Sequence, residues 1–162
     1  MKLMAQQEYG LRCLLVLAKE PGGTFTIPVI AKREGLSEPY VAKLMRSLLK
    51  GGLVESIRGQ GGGYRLVGRP EEVPLSLVMN TLGGRLFSGA FCKDHAGIKR
   101  LCVHNSDCSM RALWVILDST VQGVLQKLSL KSLLCNEGQI RAWGKKEQGR
   151  HTSQPAPLPE ST

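Results

Sequence analysis

Acidic side chains are scarce in this 162-residue sequence: 13 Asp and Glu stand against 22 Lys and Arg, a net charge of +9 at pH 7. An excess of that sign suits a phosphate backbone, or on charge alone an anionic membrane surface. No run approaches the ~20 apolar residues of a membrane-spanning helix. No basic region followed by an apolar core and a small-residue cleavage site opens the chain, so no secretory signal is expected. The protein is assigned to the cytoplasm, and its five cysteines are read as thiols or metal ligands rather than disulfides. A Gly-x-x-x-x-Gly-Lys-Ser/Thr phosphate loop is missing. Gly59-Gln60-Gly61 is followed by Tyr64 where a dinucleotide fingerprint needs its third glycine. With no nucleotide motif and no substrate-pocket signature, an enzyme is not expected.

What is present centres on Ser37 to Arg65. Val41, Leu44, Met45, Leu48 and Leu49 recur at helical spacing and predict one apolar stripe. Ser37 is the expected N-cap, Pro39 fits the first turn, and Gly51-Gly52 ends the helix. The opposite face carries Tyr40, Lys43, Arg46, Ser47 and Lys50. Two extended runs follow, Leu53 to Arg58 and Tyr64 to Val67, joined by glycines that permit a tight hairpin. Arg58 stands at the mouth of that hairpin, with Arg65 just beyond it. A basic-faced helix followed by a glycine-tipped ribbon is the layout of a winged helix-turn-helix. Its helix enters the major groove of double-stranded DNA, and its ribbon reaches the minor groove or backbone. Ten of the Lys and Arg and five of the Asp and Glu fall in residues 1 to 67, which places about +5 of the charge there.

Upstream, Ala5 to Lys19 is predicted helical and stops at Pro21-Gly22-Gly23. Thr26 to Glu34 is a second helix, and Gly35-Leu36 turns into the recognition helix. Downstream, a polar link leads to a short helix over Pro74 to Leu82. The fold class is therefore mainly α with a small β-ribbon wing. Residues 1–84 form the DNA-binding domain, 85–107 a cysteine-bearing loop, 108–135 a dimerisation helix region, and 136–162 a basic, Pro-rich, disordered arm. Asp107 is the expected cap of the long helix over about Cys108 to Leu128. Its apolar content is too great for one narrow stripe, and this predicts packing against a second copy. Two-fold pairing of half-sites is common among helix-turn-helix proteins.

From Arg85 to Asp107 the periodicity disappears, and a loop of about 20 residues needs something to hold it. Cys92, Cys102 and Cys108 are spaced C-x9-C-x5-C, which excludes C-x2-C zinc knuckles and the tight cysteine runs of ferredoxins. Three thiolates suit iron and sulfide. Zinc with His104 or His95, redox-active thiols and inert thiols stay open on spacing alone.

The chain resembles the iron–sulfur cluster-binding winged-helix transcription regulators of the IscR, NsrR and RirA family. The matching residues are Glu8-Tyr-Gly-Leu-Arg12, Gly35-Leu-Ser37, Tyr40, Leu53-Val54 and Arg58-Gly-Gln-Gly-Gly-Gly-Tyr64. The three-cysteine loop running into Ala112-Leu-Trp114 completes the match, which covers residues 1 to about 135. The resemblance implies a homodimer. It implies a 2Fe-2S or 4Fe-4S cluster on Cys92, Cys102, Cys108 and one further ligand, sensing redox state, nitric oxide or iron status. Two departures stand out. The first gap is x9 rather than x5, and Arg111 occupies the place of a ligating histidine. By the resemblance to NsrR-like members, Glu8 of the partner subunit takes the fourth place, with His104, His95, Asp94 or a small molecule as alternatives. Cys13 and Cys135 are read as structural. Expected DNA contacts are Ser37, Pro39, Tyr40, Lys43 and Arg46 at the major groove and phosphates, and Arg58 and Gln60 at the minor groove. The rival reading is a cluster-free regulator using thiols or zinc, or one acting through a partner protein.

Overall fold

A computed structural model of the chain describes residues 4–85, 87, 90–94, 96, 98, 102–104 and 106–151. Helices α1 (Ala5–Ala18), α2 (Ile27–Glu34) and α3 (Glu38–Lys50) precede strands β1 (Val54–Ile57) and β2 (Gly63–Leu66). Helices α4 (Leu75–Gly83), α5 (Ala90–Asp94), α6 (Ser109–Gln126) and α7 (Glu137–His151) follow. Short 3-10 turns cover Pro70–Glu72 and Leu130–Leu134. The order helix, helix-turn-helix, ribbon is the expected winged helix. No helix among the described residues is long and apolar enough to cross a membrane.

The core forms where the apolar stripes of α1, α2 and α3 meet α4. Leu14, Leu17, Ile30, Leu44, Met45, Leu48 and Leu130 are fully buried. Gly10 lets α1 and α4 approach closely, since a Cβ there would lie 2.4 Å from a Leu82 methyl carbon. Val41, Leu44, Met45 and Leu48 are buried as expected, but Leu49 is 41% exposed. One further residue rotates the helix by about 100° and carries Leu49 off the stripe. Ser37 occupies the N-cap position with extended backbone, yet its side chain makes no capping bond. Its carbonyl instead accepts the N–H groups of Tyr40 and Val41 at 3.1 and 3.0 Å.

The strands pair antiparallel, with Val54 opposite Leu66, Glu55 opposite Arg65 and Ile57 opposite Gly63. Phe25 adds a single bridge to Tyr64, exchanging backbone bonds of 2.9 and 2.8 Å, and so ties the ribbon to the segment before α2.

Three further expectations differ from the structure. The cysteine-bearing stretch was expected to lack secondary structure but contains α5. Cys108, not Asp107, is the N-cap of α6. Within the expected arm, residues 137–151 form α7. Asn136 and Gln139 form a reciprocal cap there, Gln139 N–H to Asn136 Oδ1 at 3.0 Å and Asn136 N–H to Gln139 Oε1 at 3.1 Å. That Asn-x-x-Gln signal offsets the helix-breaking glycines that follow. The Pro-rich remainder from residue 152 onward lies outside the described residues.

Candidate nucleic-acid interface and cysteine segment

Helix α3 turns a basic face outward because its apolar stripe fixes the opposite side. Ser37, Pro39, Lys43, Arg46 and Lys50 are exposed there. Tyr40 differs: it is half-buried, and its ring meets Tyr9 edge-on at 5.8 Å with an interplanar angle of 82°. Beside this pair, Arg12 donates to Glu34 Oε2 at 2.7 Å and to the Glu34 carbonyl at 2.8 Å. Its guanidinium also lies 5.4 Å from the Tyr9 ring centroid. The hydrogen bond to Glu34 raises the Arg12 pKa, and the nearby carboxylate of Glu8 adds to the effect. Tyr9, Arg12, Glu34 and Tyr40 thus clasp α1, α2 and α3 together, and Tyr40 packs more than it projects.

At the ribbon tip, Arg58 and Gln60 are exposed. Gly59 and Gly61 adopt φ of +100° and +84°, and the Gly62 N–H closes the turn on the Gly59 carbonyl at 2.9 Å. Gly63 has φ of +151°, and a Cβ there would meet the Phe25 carbonyl oxygen at 2.5 Å. The glycine run therefore both turns the ribbon and lets it dock on Phe25.

Basic residues of the winged helix include paired and unpaired side chains. Arg12, Arg33, Arg65 and Arg69 pair with Glu34, Glu20, Glu55 and Glu72. Arg65 reaches across the ribbon to Glu55 at 2.9 and 2.8 Å, so it is engaged within the fold. Among the described residues, Lys43, Arg46, Lys50 and Arg58 have no ion-pair partner. These four cations lie on α3 and at the ribbon tip, the two parts of a winged helix that meet DNA.

Cys92 on α5, Cys102 and Cys108 are all half-buried free thiols. The Cys108 sulfur accepts the Arg111 N–H at 3.4 Å at the head of α6. Among the described residues, no three His, Cys, Asp or Glu side chains are gathered as a metal site. Glu8 is exposed on α1, and His104 is exposed. His95 and the Asp94 side chain lie outside the described residues. Cys13 is fully buried in α1, and burial pushes its thiol up to about 11. Cys135 is exposed and donates to the Ser132 carbonyl at 2.8 Å.

Helix α6 is inverted in polarity. Asp118 and Gln122 are its buried residues. Met110, Leu113, Val115, Ile116 and Leu117 are between 40% and 60% exposed. Sequence periodicity flagged the apolar excess of this helix but not its buried polar pair, which no single-strand pattern signals.

Comparison with known proteins agrees with this architecture. The chain is 31% identical over 135 residues to the HTH-type transcriptional regulator IscR of Aliivibrio salmonicida, covering 83% of this chain and 77% of that protein. It is 31% identical over 134 residues to the HTH-type transcriptional regulator CymR of Bacillus subtilis, covering 82% and 89%. It is 30% identical over 143 residues to the HTH-type transcriptional regulator NsrR of Halalkalibacterium halodurans, covering 88% and 96%. Among solved structures, CymR, the global cysteine regulator of B. subtilis, superposes with a TM-score of 0.65 at 29% identity, covering 82% of this chain and 95% of that one. T. potens IscR gives 0.65 at 26% identity, covering 95% and 93%. The profile of the Rrf2 family, described as iron-dependent transcriptional regulators, matches residues 3–136. The chain belongs to the Rrf2 family of winged helix-turn-helix transcription regulators.

Proposed function

We propose that the protein is a homodimeric transcription regulator whose DNA binding responds to an iron–sulfur cluster held by Cys92, Cys102 and Cys108, with Glu8 of a second copy as fourth ligand. The observation that carries this reading is three half-buried free thiols, Cys92, Cys102 and Cys108, of which the Cys108 sulfur accepts the Arg111 N–H at the head of α6. Soft sulfur donors suit iron. A bound cluster supplies a centre that gains or loses electrons, reacts with nitric oxide, or is lost when iron is scarce. Lys43, Arg46, Lys50 and Arg58 supply the phosphate and groove contacts, and Ser37, Pro39 and Gln60 line the same surface. Tyr40 holds α3 against α1. Because Glu8 and the Tyr9–Arg12 clasp share α1, a ligand bond to Glu8 acts directly on the support of α3.

The exposed apolar face of α6 is the dimer surface in this reading. Leaving five large apolar side chains in water is costly, and a second α6 removes that cost.

Anaerobic purification tests the cluster. A visible spectrum with iron and acid-labile sulfide counts is expected from the unaltered protein, and Cys102→Ala is expected to lose both while keeping its helical content. Persistence of the visible bands in Cys102→Ala would exclude this ligand set. A second reading is favoured by the similarity to CymR and by the ungathered thiols: a cluster-free regulator that responds through its cysteines or zinc. Colourless protein after anaerobic reconstitution, with DNA binding intact, selects that reading.

A further inference from the structure

The buried polar residues of α6 face α4, and together they form a three-point seam. At one end, the Leu75 N–H donates to the Leu128 carbonyl at 2.9 Å, and the Leu130 N–H donates to the Val73 carbonyl at 2.8 Å. In the middle, Asn80 and Gln122 exchange side-chain bonds of 3.2 and 3.1 Å. At the far end, Asp118 accepts from Arg85 Nε at 2.8 Å and from the Phe87 N–H at 3.3 Å. The three points run antiparallel from the head of α4 to just past its end, and from just past the end of α6 into it: 75 with 128, 80 with 122, 85 with 118. The Asp118 side chain is 4% exposed and the Arg85 side chain 55% exposed, so the carboxylate is sunk in the seam and the guanidinium covers it.

An apolar contact between two helices is non-directional and tolerates sliding. Hydrogen bonds at three points along a line fix both register and angle. Leucines at positions 118 and 122 would attach α6 as firmly but less specifically. The polar choice therefore sets orientation.

We infer that Asp118, with Arg85 and the Asn80–Gln122 pair, is a positioning device that sets the angle between the winged domain and α6, and through it the separation of the two recognition helices. This rests on the homodimer reading, in which α6 is the shared element. Asp118 acts by holding Arg85, just beyond the end of α4, and α4 packs on α1 and α3.

The test uses a duplex selected from a random library by the unaltered full chain. The duplex is remade with the spacer between half-sites lengthened or shortened by one base pair, a shift of about 3.4 Å and roughly 35°. Single half-site duplexes serve as controls. The unaltered protein is expected to lose about tenfold in affinity on the altered spacers. Arg85→Ala, which removes a half-exposed partner and leaves the core intact, is expected to flatten that profile to less than about threefold, with half-site affinity unchanged. Asp118→Ala serves as the second variant, with the same expectation. An unchanged spacing profile in Arg85→Ala and Asp118→Ala, or an equal loss on half-site and full-site DNA, would overturn the inference. Absence of any spacing optimum in the unaltered protein would instead refute the dimer reading, and the inference would fall with it.

Discussion

Arg58 and Arg65 stand near each other on the ribbon and differ in what they can do. Arg65 is engaged by Glu55 across the strands, whereas Arg58 projects from the tip with no ion-pair partner among the described residues. Arg58→Ala is expected to cost about 1–3 kcal/mol of DNA affinity and to lower the salt slope by about one counterion. Arg65→Ala removes only an exposed ion pair worth about 0–1 kcal/mol of stability, and it leaves the salt slope nearly unchanged. Titration of both variants against salt by fluorescence anisotropy distinguishes them, and equal losses would contradict the division. Cys13 makes a prediction about pH. Its thiol is raised from an ordinary 9.0 to about 11 by burial first, with the Glu34 charge adding. A raised folded-state pKa means the contribution is complete below about pH 9 and is lost as pH rises through about 11. Thermal melts of the unaltered protein should therefore fall more steeply over that window than those of Cys13→Ala, even though the variant starts less stable. Parallel curves would show that the thiol does not titrate as its burial requires.

Helices and ribbon were legible in the sequence for different reasons. The buried stripe of α3, the helix-turn-helix and the glycine-tipped hairpin each follow a local rule of spacing or backbone freedom, and each was found where those rules put it, Leu49 excepted. Helix α7 carries little amphipathic pattern, and its start rests on the Asn136–Gln139 cap, a signal easily outweighed by nearby glycines. The side-chain partners were not legible. Nothing local to Tyr40 announces Tyr9, and nothing local to Asp118 announces Arg85, because both contacts join elements about 30 residues apart. The thiols are similar: spacing names Cys92, Cys102 and Cys108, but whether they converge depends on packing that no spacing encodes. At this scale α6 gives a direct prediction. Leu113→Glu with Ile116→Glu adds charge to the outward face while leaving Asp118 and Gln122 in place. On the homodimer proposal the unaltered protein is expected to sediment as a dimer and the double variant as a folded monomer. A dimeric double variant would place the interface elsewhere.

For the whole molecule, one basic surface made by α3 and the ribbon tip is joined through α4 to α6, and the cysteine segment lies between α4 and α6 in sequence. In the proposed function, the chemistry of the thiols changes how two basic surfaces face DNA. On that proposal half-site geometry is the quantity altered, since the α3 face itself contains none of Cys92, Cys102 and Cys108. The most direct measurement is operator affinity on one anaerobic sample, by fluorescence anisotropy, before and after nitric oxide treatment or chelation of iron, with Cys102→Ala alongside. The account predicts a change of about tenfold or more in the unaltered protein and none in Cys102→Ala, for a coupling of about 1.4 kcal/mol or more. Equal affinity in both states of the unaltered protein, with the cluster demonstrably gained and lost, would contradict it.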